Sequence, residues 1–297
     1  MIRSIIYTIY FAFRSVLRVT GLVRPFRALL GPLAGRLVFG MSSRSSEPMD
    51  ILGHKMYLAS AGRFPPMAMA MGQYEQKTTQ LFESLVEPGM VVIDIGAHVG
   101  YYSMLAARKT GPTGKVYSFE PDPANFELLS KNAALNGYDN ITPINKAVSK
   151  SNGSATLHVS ALDNGRHSIF DHQIPQSGSF EVETISLDAF LKDQGSPNVG
   201  LIKIDVEGAE EDALNGMDQL LRETGKINMI IEFNPVLLQD AGVNLQEFLE
   251  MPSKWGFIVE VIDDEQGSIP LPEADFPELT SRLLASDGSV NLFCKKA

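Results

Sequence analysis

From residue 73 onward, short apolar runs alternate with segments of helical character, and this alternation constrains the fold more than any other feature of the chain. Strands are predicted at residues 90–95, 115–120, 141–148, 201–206, 228–233, 257–262 and 289–295. Helices are predicted at residues 75–86, 101–108, 123–136 and 209–221. Apolar strands separated by helices are typical of a mostly parallel sheet covered on both faces, and we therefore expect an α/β fold.

The alternation changes between residues 149 and 199. Two short pieces there, S-A-T-L-H-V-S and F-E-V-E-T-I, show the period of two that is typical of strands. They predict extra strands inserted before the fourth core strand.

The beginning of the chain differs in charge from the rest. The first 71 residues contain nine Lys or Arg against two acids, although the 297-residue protein has a formal net charge of -10. The remainder is therefore strongly acidic, which argues against a nucleic-acid partner because such a surface repels phosphates. The single cysteine, Cys294, rules out an intrachain disulfide framework and favours a reducing compartment.

Residues 1–41 are predicted to form a basic, amphipathic helical segment. Its apolar residues recur at helical spacing: Ile2, Ile5, Ile6, Ile9, Phe13, Val16 and Leu17. Two interpretations stay open, an in-plane contact of residues 1–20 with a membrane or a helix packed on its own domain or on a second subunit. Residues 42–71 begin with S-S-R-S-S-E-P and are predicted to be a linker and lead-in to a domain at 72–297.

The stretch V-V-I-D-I-G-A-H-V-G predicts a ligand-binding turn at the end of the first core strand. Gly96 lies at the carboxyl end of that strand, where open parallel sheets bind their ligands, and Gly100 begins the next helix. Glycines let the backbone approach a ligand closely. The G-x-x-x-G spacing differs from the G-x-G-x-x-G of dinucleotide-binding proteins, and no phosphate-loop Lys-Ser/Thr pair follows.

An acid follows the second core strand, twenty residues after the glycine turn. Glu120 in S-F-E-P can accept hydrogen bonds from both hydroxyls of a ribose. The alternative roles are a helix cap for Asp94 and a solvated strand end for Glu120. Their combination at this spacing favours a ligand that contains adenosine.

These motifs together resemble the FkbM family of class I S-adenosylmethionine (SAM)-dependent methyltransferases. The resemblance rests on Y-E at 74–75, E-P-G-M-V-V-I-D-I-G-A-H-V-G-Y-Y-S, N-K-A-V-S, E-T-I-S-L-D, I-K-I-D-V-E-G-A-E, I-I-E-F and N-L-F-C-K. It covers residues 72–295 and implies a Rossmann-like, mostly parallel seven-stranded sheet with an antiparallel last strand. It also implies SAM as the cofactor.

The resemblance carries specific residues to the cofactor. The implied cofactor-binding residues are Glu75, Asp94, Gly96, Ala97, Gly100, Glu120, Pro121, Ala147 and Val148. Asn145 and Lys146 provide no acid for the adenine amino group, so that contact is left to backbone atoms. His98 stands where the family usually has Asn, and we interpret it as a loop residue rather than a base.

Acids at the end of the fourth core strand are the candidates for catalysis. Strand alternation predicts that Lys203, Asp205 and Glu207 point to one side, next to the methyl group in this fold. Asp205 is the first candidate for the base that removes an acceptor proton, and Glu207 is the second. Glu207 could instead simply begin the following helix, where acids are favoured.

Three further features leave alternatives open. Glu232, in the fifth core strand, could line the acceptor pocket or form an ion pair with Lys203. The spacing of Asp205, Glu207 and Glu232 does not require a metal, and none is predicted, although carboxylates are suitable ligands for hard cations. The inserted segment contains His158, His167 and His172, and we expect it to cover the acceptor site, with residues 163–168 more typical of a polar surface loop than of a substrate contact.

The predicted function is methyl transfer from SAM to a hydroxyl of a sugar, glycolipid or secondary metabolite. The rival enzyme class is an NAD-type oxidoreductase, and the rival outside enzymes is a non-catalytic SAM-binding or membrane-associated protein. The predicted partners are a small-molecule or glycan acceptor and a possible second subunit, in the cytoplasm or at the inner face of a membrane.

Overall fold

The computed structural model describes residues 47–58, 69, 72, 74–161, 167–172 and 176–296. The predicted helical segment at 1–41 and the beginning of the predicted linker lie outside these residues. The expected membrane contact of residues 1–20 and the second subunit therefore stay predictions. Within the described ranges, no helix has the length and apolar character needed to cross a bilayer.

The strands of the described residues form three sheets. They are β1 Met49–Ile51, β2 His54–Met56, β3 Val91–Ile95, β4 Lys115–Phe119, β5 Ile141–Ile144, β6 Ala147–Val148, β7 Gly153–Ser160, β8 Gln176–Ile185, β9 Val199–Ile204, β10 Asn228–Phe233, β11 Phe257–Asp263, β12 Gly267–Pro270 and β13 Val290–Lys296.

The helices pack on the main sheet and connect its strands. They are α1 Gln76–Leu85, α2 Tyr101–Thr110, α3 Pro123–Asn136, α4 Leu187–Asp193, α5 Glu210–Asn215, α6 Asp218–Glu223, α7 Pro235–Asp240, α8 Leu245–Lys254 and α9 Phe276–Ser286, with a 3₁₀ turn at Glu273–Asp275.

The main sheet has the order β12-β11-β13-β10-β9-β3-β4-β5. Strands β10, β9, β3, β4 and β5 run parallel, whereas β13 is antiparallel to both of its neighbours. This arrangement confirms the predicted mostly parallel sheet with an antiparallel last strand. The sheet has one strand more than predicted, because the short β12 folds back on β11 at the edge.

The predicted third strand at 141–148 divides between two sheets. β5 ends the main sheet, while β6 pairs with β8 in a separate sheet of order β6-β8-β7. Asn145 explains the break, since its side-chain amide donates to the carbonyl oxygens of Glu120 at 2.8 Å and Pro121 at 2.9 Å and turns the chain. The small sheet confirms the predicted insertion before the fourth core strand.

The predicted helix at 209–221 is likewise two helices, α5 and α6. Gly216 separates them, and a Cβ at this position would lie 2.1 Å from the carbonyl oxygen of Ser149. The close approach of the inserted sheet thus interrupts the helix.

Part of the region predicted as linker and lead-in is ordered structure. β1 and β2 form an antiparallel hairpin that α3 binds through two asparagines. The Asn132 side chain accepts from the backbone N–H of Tyr57 at 2.7 Å and donates to its carbonyl at 3.0 Å, and Asn136 does the same for Lys55. The hairpin therefore belongs to the packed domain.

Candidate functional site

The glycine turn after β3 lies between the ends of β4 and β9. Gly96 has φ of 81°, and a Cβ on it would lie 1.8 Å from the carbonyl oxygen of Asp205. The backbone N–H groups of Gly96 and Ala97 both donate to the carbonyl of Phe119, at 3.0 and 2.9 Å. Only glycine fits here, because the turn must adopt a left-handed conformation and touch a neighbouring backbone.

Glu120 follows β4 and faces this turn. One carboxylate oxygen accepts the backbone N–H of His98 at 2.8 Å, and the other accepts that of Asp122 at 2.9 Å. Only 6% of the residue is exposed, and this burial raises the pKa of the carboxyl group to about 7. The backbone thus fixes the carboxylate while leaving it lone pairs for a ligand.

A cleft with roughly 570 Å³ of space, part of it open to solvent, lies over these groups. Seven of the predicted site residues line it: Gly96, Glu120, Pro121, Ala147, Val148, Asp205 and Glu207. Lining residues that the sequence reasoning did not assign to the cofactor include His98, Asn125, Leu157, His167, Ser168 and Ile169. The insertion supplies four of these, so its strands and the loop at 167–169 form one wall of the cleft.

Four other predicted cofactor-binding residues do not line the cleft. Asp94 is 2% exposed and accepts a hydrogen bond from the Ser103 hydroxyl at 2.6 Å, and burial raises its pKa to about 6. Gly100 allows α2 to approach α3, since a Cβ there would lie 2.6 Å from Leu129 Cδ1. Ala97 is buried in the core. Their place in cofactor binding stays a prediction, and the structure gives Asp94 and Gly100 supporting positions behind the turn.

Glu75, the fourth of these residues, belongs to a charged network at the ends of β9 and β10. The Tyr102 hydroxyl donates to Glu75 Oε2 at 2.7 Å, and the Asn291 amide lies 3.3 Å from the same oxygen. Burial raises the pKa of the Glu75 carboxyl, and the nearby Lys203 ammonium partly opposes this.

Lys203 is the cation of this network. It is 1% exposed, its Nζ lies 3.1 Å from Asp205 Oδ2, and it also lies 5.4 Å from the Tyr102 ring centroid. Burial lowers the pKa of Lys203, but Asp205, Glu75 and Glu232 raise it more, so the ammonium stays charged.

Three carboxylates converge beside this lysine. One carboxylate oxygen from each of Asp205, Glu207 and Glu232 lies within 4.8 Å of those of the other two. The sequence left open whether these three carboxylates bind a divalent cation. Glu232 Oε2 is buried without a hydrogen-bond partner, and burial, followed by the charges of Asp205 and Glu207, raises its pKa well above the usual range. Asp205 is the member that reaches both Lys203 and the cleft.

A tight turn, rather than strand alternation, brings Glu207 beside Asp205. β9 ends at Ile204, and Glu207 has φ of 52°, a left-handed conformation that costs on the order of 1 kcal/mol or more for a residue with a Cβ. The buried Glu210 carboxylate accepts the backbone N–H groups of Val206 at 3.1 Å and Gly208 at 3.0 Å, and burial raises its pKa to about 7. Glu210, not Glu207, is the acid that begins α5.

Comparisons with known proteins give one consistent result. A family model described as the methyltransferase FkbM domain matches residues 94–259, more than half of the chain. The chain is 28% identical over 158 residues to the hexuronic acid methyltransferase AglP of Haloferax volcanii, covering 53% of this chain and 61% of that protein.

Two further relatives are similar. The 2-O-methyltransferase NoeI of Sinorhizobium fredii is 24% identical over 206 residues, 65% of this chain and 83% of its own length. The 31-O-demethyl-FK506 methyltransferase FkbM of Streptomyces tacrolimicus is 30% identical over 161 residues, 45% of this chain and 61% of its own length. The chain spans about three-fifths of the first curated relatives that it matches. These matches confirm the resemblance drawn from the motifs, and with it the class I fold and SAM as the cofactor.

Proposed function

This chain belongs to the FkbM methyltransferase family, and we propose that it transfers the methyl group of SAM to a hydroxyl oxygen of a sugar, glycolipid or secondary metabolite. The observation that carries the proposal is the position of Asp205. This carboxylate borders the cleft beside the glycine turn and is paired with the buried Lys203.

The residues on one side of the cleft fit the nucleoside part of SAM. Gly96 lines the cleft, and its missing side chain lets the turn lie directly against the Asp205 backbone. Glu120 would accept hydrogen bonds from the two ribose hydroxyls, with its own position fixed by two backbone N–H groups. Ala147, Val148 and Leu157 provide an apolar wall suited to a purine ring. SAM supplies an activated methyl group on a positively charged sulfonium. When the methyl group is transferred, the rest of SAM leaves as a neutral thioether.

The residues on the other side would manage the acceptor proton. Asp205 would take the proton of the acceptor hydroxyl as the new C–O bond forms and the S–C bond breaks. The Lys203 ammonium, 3.1 Å from Asp205 Oδ2, holds this carboxylate in place beside the cleft. Glu207 is the second candidate for the base.

The charge of the site favours a neutral hydroxyl over a carboxylate as the acceptor. Asp205, Glu207 and Glu232 form an acidic group, and the buried Lys203 is already paired with Asp205. A carboxylate acceptor would meet like charges there, and it would need no base. The names of the relatives, a hexuronic acid methyltransferase and a 2-O-methyltransferase among them, support a sugar or a natural product as the acceptor class.

Calorimetry on the full-length protein tests the cofactor. We expect binding of SAM and of its demethylated product, and no binding of NAD. Binding of NAD alone would instead support the oxidoreductase alternative.

Transfer of a labelled methyl group to glycan and lipid extracts tests the reaction. We expect label in an alkali-stable ether, lost in Asp205→Asn, whereas label released by mild alkali would indicate a carboxylate acceptor. Binding of SAM without transfer to any extract would support a non-catalytic SAM-binding protein. A parallel assay with EDTA, and then with added Mg²⁺, tests whether the three carboxylates need a cation.

A further inference from the structure

The insertion contacts the turn that holds the proposed base. Its loop at 167–172 reaches the peptide between Glu207 and Gly208 through two side chains. The Ser168 hydroxyl donates to the carbonyl oxygen of Glu207 at 2.8 Å, and His172 Nε2 lies 2.8 Å from the same oxygen. Because a carbonyl can only accept, this contact is a hydrogen bond in the tautomer with its proton on Nε2, which also lies 3.1 Å from the Ser168 hydroxyl oxygen.

The fit of His172 over the turn is close. The ring is 3% exposed, and a Cβ on Gly208 would lie 2.9 Å from its Cε1 and Nε2 atoms. Gly208 has φ of 100°, so glycine meets both the conformation of the turn and the space that the ring occupies. Asp240, at the end of α7, lies 3.7 Å from His172 Nδ1 on the other side of the ring.

The turn is thus held at both kinds of backbone group. The Glu210 carboxylate accepts the N–H groups of Val206 and Gly208. The Ser168 and His172 side chains of the insertion donate to the carbonyl of Glu207. A left-handed residue such as Glu207 persists only where its surroundings fix it.

We propose that His172 and Ser168 are positioning residues for methyl transfer, which hold the Glu207–Gly208 peptide and thereby the carboxylates of the acceptor side. The insertion then helps to position the catalytic turn, in addition to forming one wall of the cleft. The inference rests on the proposed function for its catalytic consequence, but the restraint on the turn is independent of it.

A pair of His172 variants separates this role from simple packing. His172→Leu keeps an apolar side chain but removes the donor, whereas His172→Gln places an amide donor near the position of Nε2. His158→Leu is the matched control, because His158 lies in the same insertion and its ring bonds Gln176 rather than the turn.

Hydrogen–deuterium exchange of the backbone over residues 205–210 is the direct readout. We expect at least tenfold faster exchange in His172→Leu, with exchange close to wild type in His172→Gln and His158→Leu. Unchanged exchange in His172→Leu, or equal acceleration in the Gln variant, would overturn the proposal. If His172→Leu does not fold, Ser168→Ala carries the same test, and acceleration there supports the proposal while unchanged exchange refutes it.

The catalytic readout follows once an acceptor is known. We expect His172→Leu to lower kcat by tenfold to a hundredfold with the Kd for SAM unchanged, since small displacements of a catalytic group have effects of about this size, and His172→Gln to restore most of kcat. Full kcat in His172→Leu would refute the catalytic role. Absence of turnover in the wild-type protein would instead refute the proposed function and leave the exchange result to decide the restraint.

Discussion

The two sides of the cleft are built in different ways. The proposed cofactor side, formed by Gly96, His98 and Glu120, is held by backbone groups, such as the N–H of His98 on the Glu120 carboxylate. The proposed acceptor side, formed by Lys203, Asp205, Glu207 and Glu232, is held by side-chain charges, since Lys203 pairs with Asp205 and the charges of Glu75 and Glu232 also raise its pKa. Changes on the first side should therefore affect the affinity for SAM more than turnover, whereas changes on the second should affect turnover and stability.

Asp205→Asn should show the largest effect and the cleanest separation of the two sides. The amide keeps the shape of the side chain but cannot take a proton, so we expect kcat to fall by about 10²–10⁴. The Kd for SAM, measured by calorimetry, should stay unchanged. Asp193→Asn, an exposed acid at the end of α4, is the control. Full activity of Asp205→Asn would show that another group is the base.

Lys203→Met should reveal how far the acceptor side depends on charge balance. Removing the buried ammonium leaves Asp205, Glu75 and Glu232 without their cation, and loss of one partner of a buried ion pair costs about 3–5 kcal/mol. We expect urea denaturation to show a loss of this size in the free energy of unfolding.

Two further variants test whether this loss of stability comes from the missing charge. Lys192→Met, at an exposed position, should have little effect. Adding Asp205→Asn to Lys203→Met should recover part of the loss, because it removes one of the uncompensated charges. Equal stability of the Lys203 and Lys192 variants would contradict the charge-balance account.

Glu120→Ala should act on the cofactor side alone. Each hydrogen bond to a charged group is worth about 1.5–3 kcal/mol, so losing the acceptor for two ribose hydroxyls should weaken SAM binding on the order of a hundredfold or more. Glu127→Ala, on the exposed face of α3, is the control. Tight SAM binding by Glu120→Ala would place the ribose elsewhere.

The smallest expected effect is the pH dependence of SAM binding. The carboxyl group of Glu120 has a pKa of about 7, so it is mostly protonated at pH 6 and mostly ionised at pH 8. Because the ionised form is the better acceptor for ribose hydroxyls, we expect the Kd for SAM to fall by up to about tenfold across this range. Calorimetry on Glu120→Gln should show no such dependence, and a Kd in the wild-type protein that rises with pH would contradict the assignment.

Stability of the ligand-free protein should change in the opposite sense. The folded pKa of Glu120 lies above its ordinary value of 4.5, as does that of Glu210, so both groups stabilise the fold most when protonated. Their contribution is fully present below about pH 4.5 and is lost as pH rises through about 7.

The contrast between the two sides also explains what could be predicted from the sequence. The strand, glycine turn and acid of the cofactor side are continuous motifs, so β3, Gly96 and Glu120 could be placed from local pattern alone. The hydrogen bond between Glu75 and Asn291 could not be predicted, because these residues lie 216 positions apart and no local spacing connects them. The hydrogen bond from Ser103 to Asp94 could not be predicted either, because it depends on how α2 packs against β3, and the cofactor-binding role of Asp94 stays a prediction.

Short elements and loop contacts were the other features that could not be predicted from the sequence. The β1–β2 hairpin has three residues in each strand and is bound by Asn132 and Asn136 of α3, and it lies in a region whose composition is typical of a linker. The contact of His172 with the Glu207 carbonyl was likewise not predictable, because it depends on how a loop folds over another element.

A Cβ on Gly96 would lie 1.8 Å from the Asp205 carbonyl oxygen, so the backbones of the glycine turn and of Asp205 are in direct contact where the two sides of the cleft meet. The spacing between the glycine turn and the backbone that carries Asp205 is therefore set by direct contact of two main chains, and a side chain on Gly96 would force them apart.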